Sequence, residues 1–383
     1  MNFKIFFSSI LILLSSSIFS QANYKQIAGE DSLKTYLGGA GYTVKTFSKK
    51  FKSEKPKNVI LMIGDGMGIS QVFAGLTANH GHLFLENFKQ IGFSKTQSDD
   101  KYVTDSAAGA TALSAGVKTY NGAIGVDSDT IPVKTVLEFA EEKGKATGLV
   151  STSAITHATP ASFIAHQSKG SMYEEIAADF LKTDINVFIG GGYKHFVDRK
   201  DGRDLTVELR QKGYQVLQDM DQITKIKSGK LAGLTAPEHN GRVDERKNML
   251  PRSTQTALNI LNQDKDGFFL MVEGSQIDWG GHQNNTIYIV EEMLDFDKAI
   301  GKALDFAAKD GETLIVVTAD HETGGFALLD GDMQTGMVKG GCTTSGHTAV
   351  MVPVFAYGPG AEQFTGIMEN TDIGKKIIDL LKH

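Results

Sequence analysis

The 383-residue chain carries 39 Lys and Arg against 45 Asp and Glu, a net charge of −6, with 41% hydrophobic residues. That acidic balance argues against a general nucleic-acid binder, whose footprint is basic, and the length suits one large α/β domain or two ordinary ones. The lone cysteine, Cys342, excludes an intrachain disulfide, and 42 Gly against 7 Pro make a backbone rich in hinges.

In chain order, residues 1–22 read as a secretory leader. Lys4 precedes an apolar run from Ile5 to Phe19 broken only by serines, and Ser20-Gln21-Ala22 supplies small residues for cleavage. The run is short and Ser-rich for a membrane span, and no later segment is apolar enough for one. The expectation is an exported protein, periplasmic or secreted, with no stable membrane anchor. Residues 23–56 are polar and basic and read as an N-terminal arm; 57–383 read as one domain.

Six apolar runs read as buried parallel strands: 58–63 (NVILMI), 146–150, 186–189, 268–272 (FFLMV), 313–317 (TLIVV) and 352–357 (VPVFAY). Helical patterns fall at 107–114, 133–142, 173–181, 252–261, 286–308 and 373–381. This alternation predicts a three-layer α/β/α sandwich around one large, mostly parallel sheet.

The polar residues after these strands carry the chemistry, because sites in open α/β sheets lie beyond the strands' carboxyl ends. NVILMI runs into Gly64-Asp65-Gly66-Met67-Gly68, and FFLMV into Glu273-Gly274. TLIVV runs into Thr318-Ala319-Asp320-His321, and 146–150 into Ser151-Thr152-Ser153, then His157-Ala158-Thr159-Pro160. GDGMG is not the dinucleotide fingerprint, since Ile69 stands where G-x-G-x-x-G requires its third glycine. In Asp278-Trp279-Gly280-Gly281-His282, Asp and His at i and i+4 share a face if the segment is helical, although the Gly pair suits a tight loop equally. His347, in TTSGHT, is uninformative alone.

Ser106, in YVTDSAAGAT (102–111), admits two readings. Ser and Asp are favoured helix caps, and a Ser at a helix N-terminus is also well placed as a nucleophile toward phosphate. Asp65, Glu273, Asp278 and Asp320 would gather four carboxylates in one place. Buried unpaired charges cost several kcal/mol each, and divalent metals neutralise them. Mixed Asp/His ligation suits zinc, while carboxylate, Thr hydroxyl and water suit magnesium.

The set GDGMG (64–68), VTDSAAGAT (103–111), THATPA (156–161), VEGSQIDWGGH (272–282), TADHETGG (318–325) and SGHT (345–348) resembles the alkaline phosphatases, in the family's order, and most closely the compact, short-loop bacterial type. The resemblance implies two zinc ions and one magnesium ion. Asp278, His282 and His347 would hold one zinc. Asp65, Asp320 and His321 would hold the other, beside a catalytic Ser106. Asp65, Thr159 and Glu273 would hold the magnesium, and His157 and Trp279 would stand behind the ligands or against substrate. It implies hydrolysis of small phosphate monoesters through a covalent phosphoserine, metal activation replacing a neighbouring base, by a chain that is commonly a homodimer in this family.

Three alternatives remain at this stage. They are a phosphodiesterase or sulfatase on the same scaffold, a Ser-His-Asp hydrolase (for which Ser106 lacks the G-x-S-x-G elbow), and a non-catalytic zinc- or phosphate-binding protein. One departure from the family stands out. Its phosphate-clamping Arg follows the magnesium-site Thr by eleven positions, and Gly170 is found there, beside Lys169. Lys169 cannot reproduce a bidentate guanidinium, so either Lys169 or a residue from elsewhere would bind the phosphate as a point charge, or metals and backbone alone would hold it.

Overall fold

The computed structural model describes residues 31–47 and 50–382; the leader expected at 1–22 lies outside them. Ten strands form the central sheet: β1 (Asn58–Gly64), β2 (Gln90–Lys95), β3 (Ala146–Ala154), β4 (Val187–Gly191), β5 (Tyr214–Leu217), β6 (Lys230–Leu234), β7 (Phe268–Gly274), β8 (Thr313–Thr318), β9 (Val352–Tyr357) and β10 (Gly366–Glu369). Their spatial order is β10-β2-β9-β8-β1-β7-β3-β4-β6-β5. All neighbours pair in parallel except β9, which runs antiparallel to both β2 and β8. The expectation that 352–357 runs parallel is therefore corrected. An apolar run reads the same in either direction, so its composition carries no polarity.

Both faces of the sheet are covered, which is why its central strands are continuous apolar runs. Along β1, Val59, Leu61 and Ile63 pack into one core with Phe163, Phe269 and Ile377. The alternate residues Ile60 and Met62 pack into the other with Met293, Phe296 and Ile300. The last three belong to the longest helix, Thr286–Asp310, capped by the Asn285 side chain on Tyr288 N–H and closed by Gly311 in the left-handed region, φ 76°. The helix expected at 252–261 begins earlier, at Met249, because Pro251 sits in its first turn, where a missing N–H costs nothing.

The described part of the N-terminal arm is docked. Thr35–Tyr36 adds a strand to a small sheet with Met337–Cys342 and Phe326–Asp332, and the Tyr42 hydroxyl donates to Asp297 at 2.6 Å. Asp297 also takes the backbone N–H groups of Phe84 and Leu85. Among the described residues no helix is long and apolar enough to cross a membrane.

In the centre of the sheet, β8, β1, β7 and β3 are consecutive neighbours. Their carboxyl ends deliver Asp320 and His321, Asp65, Glu273 and the Ser151–Thr159 segment to one edge.

Candidate active site

The loop after β1 is shaped by close approach. Gly66 has φ 71°, and a Cβ there would fall 2.7 Å from the Asp278 Cα and the Thr323 Oγ1. Its N–H donates to Asp320 Oδ1 at 3.2 Å. The two glycines at 280–281, which suit a helix or a tight loop equally by sequence, sit inside a helix, Gln276–His282. A Cβ on Gly280 would meet Ile289 N at 2.7 Å, and one on Gly281 would meet Thr323 O at 2.7 Å. Asp278 and His282 thus share a helical face, with His282 Nε2 3.3 Å from Asp278 Oδ2.

Ser106 opens the helix Ser106–Ala115, but the cap is Asp105, whose side chain accepts the Ala108 N–H at 3.0 Å. Ser106 Oγ is left facing inward, 3.2 Å from His321 Nε2 and 3.5 Å from Asp65 Oδ1.

Two ligand groups surround it. The donor atoms of Asp65, Asp320 and His321 lie within 4.8 Å of one another, and so do those of Asp278, His321 and His347. His282 stands against the second group, its Nε2 3.2 Å from His347 Nε2. Backbone carbonyls orient the two imidazoles: His282 Nδ1 lies 2.6 Å from Ser345 O, and His347 Nδ1 lies 2.9 Å from Thr104 O. Thr323 Oγ1 donates to Asp278 Oδ1. Thr159 Oγ1 reaches Asp65 Oδ2 at 3.5 Å, and Ser151 Oγ donates to Glu273 Oε2 at 2.6 Å.

The electrostatics ask for cations. Burial, then the charge of Asp320, pushes Asp65 well above the usual carboxylate range. Burial, then Asp278, pushes Asp320 up to about 7. Burial pushes Glu273 up to about 6, against the opposing hydroxyls of Ser151, Ser275, Thr159 and Ser153. Burial alone would raise Asp278 as well, but the imidazoles of His282, His347 and His321 outweigh it and hold it low. His321 is driven well below its ordinary value by burial, which leaves it neutral and able to ligate. Glu273 Oε1 and Asp320 Oδ2 are buried without a hydrogen-bond partner. Unsatisfied carboxylate oxygens beside imidazoles are the donor set of a divalent-metal centre, so the residues present fit the implied ions.

Trp279 is buried and meets two imidazoles edge-on, His239 at 4.9 Å and His157 at 6.2 Å between ring centroids. Burial lowers His157 to about 4 and His239 to about 3. His239 escaped the sequence reading because PEHNGR follows no predicted strand. Its Nδ1 accepts the Ala154 N–H at the end of β3. Lys169 is exposed, and among the described residues no hydrogen bond or ion pair ties it to Ser106 or the carboxylates. Cys342 is half-buried, its thiol pushed up to about 11 by burial, and it lies outside both ligand groups.

The chain matches the alkaline phosphatase family model over residues 56–340 and 329–383. It is 39% identical to alkaline phosphatase 3 of Bacillus subtilis, covering 88% of this chain and 91% of that protein. It is 31% identical to the alkaline phosphatase of Escherichia coli, covering 84% and 85%. Among solved structures, the alkaline phosphatase of the Antarctic bacterium TAB5 superposes with a TM-score of 0.81 at 45% identity, covering 86% of this chain and 98% of that one. A likeness this close, running through the strands that deliver the carboxylates as well as the loops that carry the histidines, makes the chain a member of the alkaline phosphatase family.

Proposed function

We propose that the chain hydrolyses phosphate monoesters through Ser106, which attacks phosphorus, displaces the alcohol and is phosphorylated until water releases inorganic phosphate. The observation that carries this reading is the position of Ser106 Oγ, relieved of capping by Asp105 and turned toward His321 and Asp65. The helix N-terminus behind it presents backbone N–H groups and a positive dipole end to the arriving phosphate.

Asp65, Asp320 and His321 would hold one zinc, Asp278, His282 and His347 a second, and Asp65, Thr159 and Glu273 a magnesium. When bound, these ions lower the pKa of a coordinated hydroxyl and stabilise negative charge on the attacking and leaving oxygens. A variant of the TAB5 enzyme is described with Mg bound in its M3 site, which supports a magnesium-binding family. His157 and Trp279, whose rings meet edge-on at 6.2 Å between centroids, would stand behind the ligands or against substrate.

In this reading residues 1–22 are a leader, 23–56 an arm and 57–383 the catalytic domain of an exported homodimer. The supports are the Ser-interrupted apolar run of the first residues and the family's common assembly.

The test is a short incubation with a phosphorus-labelled aryl phosphate, an acid quench and peptide mapping. Label on the peptide containing Ser106 is expected. Full turnover by Ser106→Ala, or label elsewhere, overturns the assignment. Paired monoester and diester substrates separate this activity from a diesterase.

A further inference from the structure

Behind Glu273 lies a cluster of hydroxyls that the proposed reaction does not use. Parallel pairing of β3 with β7 sets Ser151 directly opposite Glu273. Ser151, Ser153, Ser275 and Glu273 are all fully buried. Ser151 Oγ lies 2.6 Å from Glu273 Oε2, 2.8 Å from Ser153 Oγ and 3.0 Å from Ser275 Oγ, and it accepts the Ser153 N–H at 3.0 Å. Ser275 is fixed in turn. Its N–H donates to Thr152 Oγ1 at 2.9 Å, and its Oγ accepts the Ser153 N–H at 3.0 Å.

A hydroxyl has one proton to donate and two lone pairs to accept with. Of the side-chain oxygens around Ser151 Oγ, only the carboxylate cannot donate, so the Ser151 proton goes to Glu273 Oε2. That oxygen is committed to the protein side. Its partner Oε1 is buried with no hydrogen bond, on a carboxylate that the Thr159 hydroxyl also approaches.

We propose that Ser151, supported by Ser275, holds Glu273 to one-oxygen ligation and thereby makes this site discriminate magnesium from calcium. The inference rests on the reading of Glu273 as a metal ligand. Magnesium demands six ligands in near-ideal octahedral geometry. Calcium accepts six to eight oxygens and readily takes both oxygens of one carboxylate. A Glu273 with Oε2 already engaged offers a single oxygen, which suits the smaller ion. Without the Ser151 hydroxyl, Oε2 keeps the longer Ser153 Oγ contact at 3.5 Å, the carboxylate can turn to bind through both oxygens, and the larger ion gains a ligand. Ser151 is a positioning residue in this account.

The experiment measures magnesium and calcium dissociation constants of the zinc-loaded protein by calorimetric titration. Ser151→Ala is expected to reduce the preference for magnesium by about tenfold or more, with Ser275→Ala shifting it in the same direction. A ratio that stays within about twofold of wild type while both constants weaken together marks loose packing alone and overturns the inference. Ser275→Ala carries the test if Ser151→Ala fails to fold. Glu273→Gln separates the two readings: it should abolish magnesium binding. If it binds magnesium as wild type does, the ligand assignment falls; if it loses magnesium while Ser151→Ala keeps the wild-type ratio, only the present inference falls.

Discussion

Ser106 and Asp105, adjacent in sequence, have divided two tasks that either side chain could perform. Asp105 accepts the Ala108 N–H and caps the helix, while Ser106 Oγ points 3.2 Å from His321 Nε2. The ambiguity of the DS pair at a helix start is resolved by geometry, and the two roles become separable by mutation.

Ser106→Ala should fold and keep its metals, because the cap is untouched, and should lose turnover by about a thousandfold or more, as removal of a nucleophile does. Asp105→Ala should show the reverse emphasis, losing about 1 kcal/mol of stability as an N-cap deletion does. Thermal melts alongside steady-state rates check both. A Ser106→Ala protein as unstable as Asp105→Ala would show that the serine contributes to the cap after all.

Removing the metals should expose the mutual repulsion of the carboxylates. Asp320, pushed up to about 7, and Glu273, pushed up to about 6, both lie above their ordinary values of 3.8 and 4.5. In the metal-free chain these two carboxyls bind protons that the unfolded chain has released between about pH 4 and pH 7, a contribution lost as pH rises through that window. His321, His157 and His239, all lowered by burial, act in the opposite sense below the ordinary histidine value, so Asp320→Asn is needed to isolate the carboxylate part. Chelated Asp320→Asn should melt above chelated wild type at about pH 8 and by much less at about pH 5.5. Calorimetric melts of both proteins at both pH values check the sign; a gain no larger at the alkaline pH excludes a raised Asp320.

The same burial explains what could be read from the sequence. Residues 58–63, 268–272 and 313–317 were legible as strands because both faces of the sheet are covered, so their side chains are uniformly apolar. Each observed strand runs on past its apolar run, to Gly64, Gly274 and Thr318. The ladder is made by the backbone, and it continues under polar side chains such as Glu273. The strand Gln90–Lys95, one in from the sheet's edge, was not legible, since half of its positions are exposed and its buried ones are Gly92 and Ser94 and not apolar side chains. Asp65, Glu273 and Asp320 were found because each follows an apolar run. Thr323, which donates to Asp278, sits on a two-residue strand paired with His347–Thr348, and His239 sits on a loop; tertiary contact sets the course of both. Local pattern does not encode that.

Trp279 is the only tryptophan, and it packs against two imidazoles that also touch each other, next in sequence to Asp278. Its emission should report the metal centre, changing on chelation and recovering when zinc is returned. Because burial holds His157 at about 4 and His239 at about 3, both rings stay neutral above about pH 6, and emission should be flat from there to about pH 9. A titration step in emission near the ordinary histidine pKa would show that one of these rings is solvated.

Gly170 stands where the family resemblance implies an Arg. A Cβ at Gly170 would meet nothing closer than Ile124 Cδ1 at 3.5 Å, an ordinary contact. The segment is held by Gly170 N–H to Gly122 O at 2.8 Å, close to Asn121, whose side chain accepts the Asp105 N–H at 3.2 Å. An arginine introduced here fits without displacing backbone and starts from a loop tied to the nucleophile's own cap. Its guanidinium can bind two phosphate oxygens at once, which exposed Lys169 cannot. Each charge-assisted hydrogen bond is worth roughly 1.5–3 kcal/mol, so even one lowers the phosphate dissociation constant by about tenfold or more. Wild type should therefore be weakly inhibited by inorganic phosphate. Gly170→Arg should be inhibited at least tenfold more tightly and turn over no faster, because stronger product binding slows release. The measurement is the phosphate inhibition constant of the two proteins at equal metal loading. Equal constants would mean that a group other than an arginine at this position already clamps the phosphate.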